Sequence, residues 1–90
     1  MDLIYDPAKN ASNIIKHGIS FTEVAEFDFA SALIIKDERL SYGEDRFTAY
    51  GYLNNRLYFL CFVVRNNQFR VISFRKANKR EAKFYATTNQ

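Results

Sequence analysis

The chain has 90 residues, 48% hydrophobic and 26% charged, with 3 Gly, 1 Pro and a formal net charge of +3. That length suits a single domain over residues 1–90, able to bury roughly 60% of the surface its unfolded chain exposes. The composition excludes disordered, collagen-like and low-complexity classes, and one Cys with one His cannot furnish the three or four ligands of a zinc site.

Residues 3–5 are apolar but few, enough only for an edge strand. Asp6-Pro7 opens a helix, because a carboxylate caps well and Pro suits the first helical position, where its missing N–H has no partner anyway. Ala8, Ala11 and Ile15 recur at helical spacing with Ile14 beside them, and Gly18 supplies a left-handed stop, so the helix covers residues 7–17. Ser20-Phe21-Thr22-Glu23 reads as a capping box with Ile19 and Val24 as a hydrophobic staple, predicting a second short helix ending near Phe27.

From Ala32 onward β-branched and aromatic runs predict strands over residues 33–35, 46–53, 57–64 and 69–75. Two breaks are the pairs Asn54-Asn55 and Asn66-Asn67, residues that accept the positive φ of tight hairpins. Asn78 with Glu81 three residues on predicts a last helix over residues 79–85. The expected fold is α+β, a compact antiparallel sheet with two N-terminal helices and one C-terminal helix, in the order β-α-α-β-β-β-β-α.

If each asparagine pair is a two-residue turn, Leu53 pairs with Arg56 and Arg65 with Gln68, so Arg46 and Arg70 both lie opposite Val63. Period-two alternation then puts Arg46, Thr48, Tyr50, Tyr52, Leu57, Phe59, Cys61, Val63, Arg65, Arg70, Ile72 and Phe74 on one face. The other face carries Phe47, Ala49, Leu53, Tyr58, Leu60, Phe62, Val64, Phe69 and Val71, the expected helix-covered core. Arg75 falls on that second face, away from the other arginines.

Charge is divided unevenly. Residues 1–38 hold three basic against seven acidic groups, net −4, and residues 39–90 hold ten basic against three acidic, net +7. Clustered Lys and Arg raise the local potential by several kT, which suits a polyanion or an acidic protein. The lone Cys61 excludes an internal disulfide and favours a reducing compartment. No apolar run nears the roughly 20 residues of a membrane span, and no basic-then-apolar leader opens the sequence, so a soluble cytoplasmic protein without membrane partners is expected.

The sequence contains no GxSxG, GxxxxGK[ST] or GxGxxG pattern, and neither a metal nor an organic cofactor is expected. What remains is Lys16-His17, the group Asp37, Arg39, Glu44 and Arg46, and Arg65, Arg70 and Arg75. Such residues can cleave RNA without metal, because the 2′-hydroxyl is the nucleophile: arginines bind the phosphate, and His17 or Glu44 handles protons. Lys16 and His17 equally suit the negative end of a helix dipole, and Glu44 with Arg46 equally suits a surface ion pair. Tyr50, Tyr52 and Phe59 either stack on bases or pack within the sheet.

Asp6-Pro7-Ala8-Lys9, Asn13, Lys16-His17-Gly18-Ile19-Ser20-Phe21, Asp37, Arg39, Gly43-Glu44, Arg46, Arg65, the run from Arg70 to Ala77, and Lys79-Arg80-Glu81 together resemble the BrnT toxin family from Tyr5 to Tyr85. The resemblance implies a RelE-type ribonuclease fold, a toxin that blocks translation by cutting RNA, and a cognate, DNA-binding antitoxin that silences it, with room for a higher-order toxin–antitoxin assembly. It implies Lys16, His17, Glu44, Arg46, Arg65, Arg70 and Arg75 as catalytic and Lys9, Lys76 and Arg80 as RNA-binding. Tyr5 departs from the usual Trp or Phe. Phe74 departs from a small Ala, and its ring is expected to narrow the groove. The alternative function is a non-catalytic module of the same fold that only pairs with its antitoxin.

Overall fold

The computed structural model describes residues 1–39 and 44–88, so Gly43 of the family pattern lies outside the described residues. In chain order come β1 (Asp2–Ile4), α1 (Pro7–His17), a 3-10 helix (Phe21–Glu26), β2 (Leu33–Lys36), β3 (Asp45–Leu53), β4 (Arg56–Arg65), β5 (Gln68–Lys76) and α2 (Lys79–Thr88). The five strands form one sheet in the order β1-β5-β4-β3-β2. The α+β class holds, with two corrections to the expected architecture. β1 joins β5 in parallel, so the sheet is mixed, and only one α-helix precedes β2.

Both ends of α1 have identifiable caps. The Asp6 carboxylate accepts from the Ala8 N–H at 2.9 Å, and at the other end of α1 Gly18 takes φ 70° and donates its N–H to the Ile14 carbonyl at 2.8 Å. The expected capping box at Ser20 is not what forms. Ser20 Oγ accepts from the Thr22 N–H at 3.2 Å, the Glu23 N–H goes to the Ser20 carbonyl, and the segment winds as a 3-10 helix. That tighter winding sends Phe21, Val24 and Phe27 inward together.

α1 turns its two isoleucines outward. Ile15 is 85% exposed and Ile14 44%, while the residue it buries is Asn13. Asn13 Nδ2 donates to the carbonyls of Phe74 at 2.7 Å and Ile19 at 2.9 Å, and Asn13 Oδ1 accepts from the Phe74 N–H at 3.3 Å. β1 ends at Ile4, beside Arg70, so the rest of β5 has no strand on that side; the Asn13 amide pairs with Phe74 there. A polar helix face is thus buried because it completes an open sheet edge.

The two hairpins form in the expected register. All four turn asparagines have positive φ, between 49° and 67°, and Arg46 and Arg70 both pair with Val63. The residues assigned to the core face are packed together there, joined by Phe21, Val24 and Phe27. At Gly51 an added Cβ would meet the Phe27 ring at 2.5 Å, so the absence of a side chain admits that ring onto the sheet.

β5 departs from simple alternation. Phe62 pairs with Val71 and Cys61 with Ser73, leaving Ile72 as the extra residue of a β-bulge. Parity inverts beyond it. Phe74, expected on the mixed face, is instead fully buried in the core, its ring 5.0 Å from that of Tyr58 and 6.0 Å from that of Phe27. Arg75 moves the other way, onto the face of Arg46, Arg65 and Arg70.

α2 lies on that mixed face. Asn78 Oδ1 accepts from the Glu81 N–H at 2.8 Å, and Glu81 Oε1 accepts from the Asn78 N–H at 3.0 Å, so a reciprocal box opens the helix. Phe84 meets Tyr50 and Tyr85 meets Tyr52, each pair with ring centroids 5.7 Å apart. Among the described residues, no helix is long and apolar enough to cross a membrane.

Candidate functional site

The hairpin registers and the parallel start of β1 build one transverse row of the sheet: Ile4, Arg70, Val63 and Arg46. Beyond Arg46 the chain continues the row through Asp37, whose N–H donates to the Arg46 carbonyl at 2.8 Å. Val63 is 3% exposed between the two arginines. Arg65 is one step further along β4 on the same face, and its guanidinium lies 4.0 Å from the Glu44 carboxylate. Arg46, Arg65, Arg70 and Glu44 therefore gather at one end of the mixed face.

Three adjoining hollows extend this cluster along β5. The first, about 140 Å³, is lined by Ile4, Val63, Arg65, Asn66, Gln68 and Arg70. The second, about 290 Å³, shares Ile4 and Arg70 with it and adds Lys9 and Ile72. The third, about 190 Å³, shares Lys9 and Ile72 with the second and adds Lys16, His17 and Ser73. The result is one groove whose walls carry Arg65, Arg70, Lys9, Lys16 and His17. Asp6 is the sole carboxylate among the lining residues, and it is engaged at the α1 N-terminus. Ile72, the bulged residue, lies at the middle of the groove.

The sequence provides each part by a local rule. Lys9 and Lys16 are seven residues apart, two turns of α1, and therefore share a helix face. Lys16 and His17 occupy its last turn, where cations complement the helix dipole. The turn asparagines set the register that aligns Arg46 with Arg70.

The other expected site residues lie elsewhere. Arg75 is two rows from Arg70, its guanidinium 4.3 Å above the Phe59 ring and bound by two hydrogen bonds, 2.8 and 3.0 Å, to the Glu81 carboxylate. That pairing, with the Asn78 N–H, holds the Glu81 carboxyl below its ordinary range. Burial, with Glu81's charge nearby, pushes the Tyr50 hydroxyl up. Lys76 and Arg80 are exposed near the start of α2 and do not line the groove. Tyr50 and Tyr52 are in ring contact with α2 and Phe59 with Arg75, while Tyr52 stays 41% exposed.

Two residues bordering the cluster and the groove carry weaker sequence signals. Asp37, at the far end of the arginine row, has its carboxyl lowered to about 2, chiefly by hydrogen bonds from Arg39 and further by Arg46's charge. Asn13 sets α1, and hence Lys9, Lys16 and His17, against β5. A buried Asn is not distinguishable from an exposed one by periodicity, and only the family pattern marked it. Among the described residues, no group of three or more His, Cys, Asp or Glu could hold a metal ion.

No curated protein matches the chain. The family model described as "Ribonuclease toxin, BrnT, of type II toxin-antitoxin system" matches residues 5–81, a span running from the residue after β1 to the Glu81 that pairs with Arg75. With that span taking in the charged walls of the groove and all of α1, the chain belongs to the BrnT family of ribonuclease toxins, whose type II systems pair a toxin with an antitoxin.

Proposed function

We propose that the chain is a metal-independent endoribonuclease toxin that cleaves RNA in the β5 groove by attack of the substrate's own 2′-hydroxyl. One observation carries this reading: Arg65, Arg70, Lys9, Lys16 and His17 line a single groove, on a chain whose family is described as ribonucleases. A groove of that charge and length suits successive phosphates of one strand. The RelE-like architecture implied by the sequence resemblance belongs to the same proposal.

The chemistry needs three services. A base takes the 2′-hydroxyl proton as the oxygen bonds to phosphorus; positive charge stabilises the crowded phosphorane; an acid gives a proton to the 5′-oxygen as its bond to phosphorus breaks. The products are a 2′,3′-cyclic phosphate and a free 5′-hydroxyl. Arg46, Arg65 and Arg70 suit the second service, since guanidinium forks bind phosphate oxygens two at a time. His17 and Glu44 are the proton-transfer groups, lying to either side of Arg70: His17 in the third hollow and Glu44 against Arg65. Arg75 serves by anchoring α2 through Glu81.

Activity of the purified, antitoxin-free chain on bulk RNA tests the proposal. Cleavage that falls at least tenfold in an Arg65→Ala, Arg70→Ala double variant supports it. A folded chain that leaves RNA intact would establish the alternative, a module that only pairs with its antitoxin.

A further inference from the structure

β1 is an outer strand whose two faces open onto hollows of opposite chemistry. Its pairing puts Leu3 beside Phe69 on the core face and Ile4 beside Arg70 on the arginine face. On the core face Met1, Leu3, Val24, Ala25, Phe29 and Phe69 line an apolar hollow of about 180 Å³, with Leu3 and Phe29 each 37% exposed. On the other face, the Arg65 and Arg70 hollow begins directly at Ile4. β1 has a strand neighbour only on its β5 side, so its outward backbone groups are not paired within the sheet.

An extended peptide laid along that edge would gain main-chain hydrogen bonds and send alternate side chains to opposite faces. One set would enter the apolar hollow. The other would project over two arginines, where only acidic side chains are complementary. We infer that the β1 edge is the docking site for an extended antitoxin segment of alternating apolar and acidic residues, which silences the toxin by neutralising Arg65 and Arg70. This rests on the reading of the groove as the RNA site. RNA itself does not fit the edge, having neither amides to extend a sheet nor apolar groups for the hollow behind it. A strand added here reaches both hollows at once, whereas the other outer strand, β2, lies next to β3 and far from Arg70 in the sheet order.

The probe is a blocked octapeptide of alternating valine and glutamate, compared with its valine–lysine counterpart, added to the ¹⁵N-labelled full chain. The glutamate peptide should shift amide signals of residues 2–4 and inhibit RNA cleavage, and the lysine peptide should bind at least tenfold more weakly. Ala25→Glu, an exposed change at the apolar hollow, should weaken the glutamate peptide at least tenfold while leaving uninhibited cleavage unchanged. Equal binding of the two peptides would overturn the inference, as would shifts confined to β2 or β1 shifts that follow protein concentration alone, the sign of a second copy on this edge. If β1 binds with this charge preference but the chain does not cleave RNA, the docking edge stands and the ribonuclease reading falls. If RNA is cleaved but β1 is unperturbed by peptide, the reverse holds.

Discussion

Asn13 binds the backbone of Phe74 at both its N–H and its carbonyl, across 61 residues of sequence and inside the protein. This contact ties α1 to β5 just past the bulge, and so sets Lys9, Lys16 and His17 against Ile72 and Ser73. Asn13→Ala leaves both Phe74 groups, and the half-buried Ile19 carbonyl, without the Asn13 amide; for the two Phe74 groups alone a cost of about 2–6 kcal/mol follows from about 1–3 kcal/mol per orphaned buried group. Asn13→Asp should be at least as damaging, since a carboxylate cannot donate to the Phe74 carbonyl. Urea unfolding of both variants measures this, with RNA cleavage falling alongside because the α1 side of the groove loses its anchor.

Glu81 gives a pH signature. Its carboxyl is held below the ordinary 4.5 by Arg75 and the Asn78 N–H, so the stabilisation it provides is complete above 4.5 and disappears as pH falls through the lowered folded value. The stability difference between the wild type and Glu81→Gln should accordingly be largest at neutral pH and shrink below 4.5. Unfolding at a series of pH values checks it, and the comparison cancels Asp28 and Asp37, whose carboxyls are also lowered.

Replacing Arg46, Arg65 or Arg70 with Lys should lower cleavage although charge is kept, because an ammonium cannot form the bidentate fork. Ala at an arginine that contacts the developing charge should cost about 10²–10³ in rate, the usual effect of losing one electrostatic donor. Arg75→Lys is the internal control. It should loosen α2, read as lower thermal stability, and alter cleavage far less than the other three. A larger rate loss at Arg75 than at Arg70 would contradict this placement of the phosphate grip.

His17→Gln should reduce turnover at least about tenfold with folding intact, as removal of an acid–base group generally does. Unchanged turnover with reduced thermal stability would return His17 to the role of a cation at the end of α1.

Much of this was legible in the sequence, for reasons that can be located. Asparagine pairs admit few turn geometries, so they fixed both hairpin registers and with them the Arg46–Val63–Arg70 row. Asp6-Pro7 and Gly18 marked both ends of α1, and Asn78 with Glu81 marked the start of α2. The bulge at Ile72 left no such mark, since an extra residue in a strand reads as continued alternation. Simple alternation therefore assigns everything beyond it to the wrong face: it sets Phe74 against the groove when its ring fills the core, and Arg75 away from a face it shares. The orientation of α1 is not legible from periodicity, which counts apolar residues, whereas the helix is held by one polar side chain meeting an unpaired sheet edge. The parallel pairing of β1 rests on only three residues, too few for any pattern.

The proposed cleavage in the groove uses only the chain's own residues and the substrate's 2′-hydroxyl. The most direct measurement treats RNA with purified, antitoxin-free protein in excess EDTA and determines the chemistry of the new ends. Undiminished cleavage and 2′,3′-cyclic phosphate ends with free 5′-hydroxyls are the expected result. Cleavage that stops in EDTA and returns with magnesium, or that leaves 5′-phosphates, would contradict it.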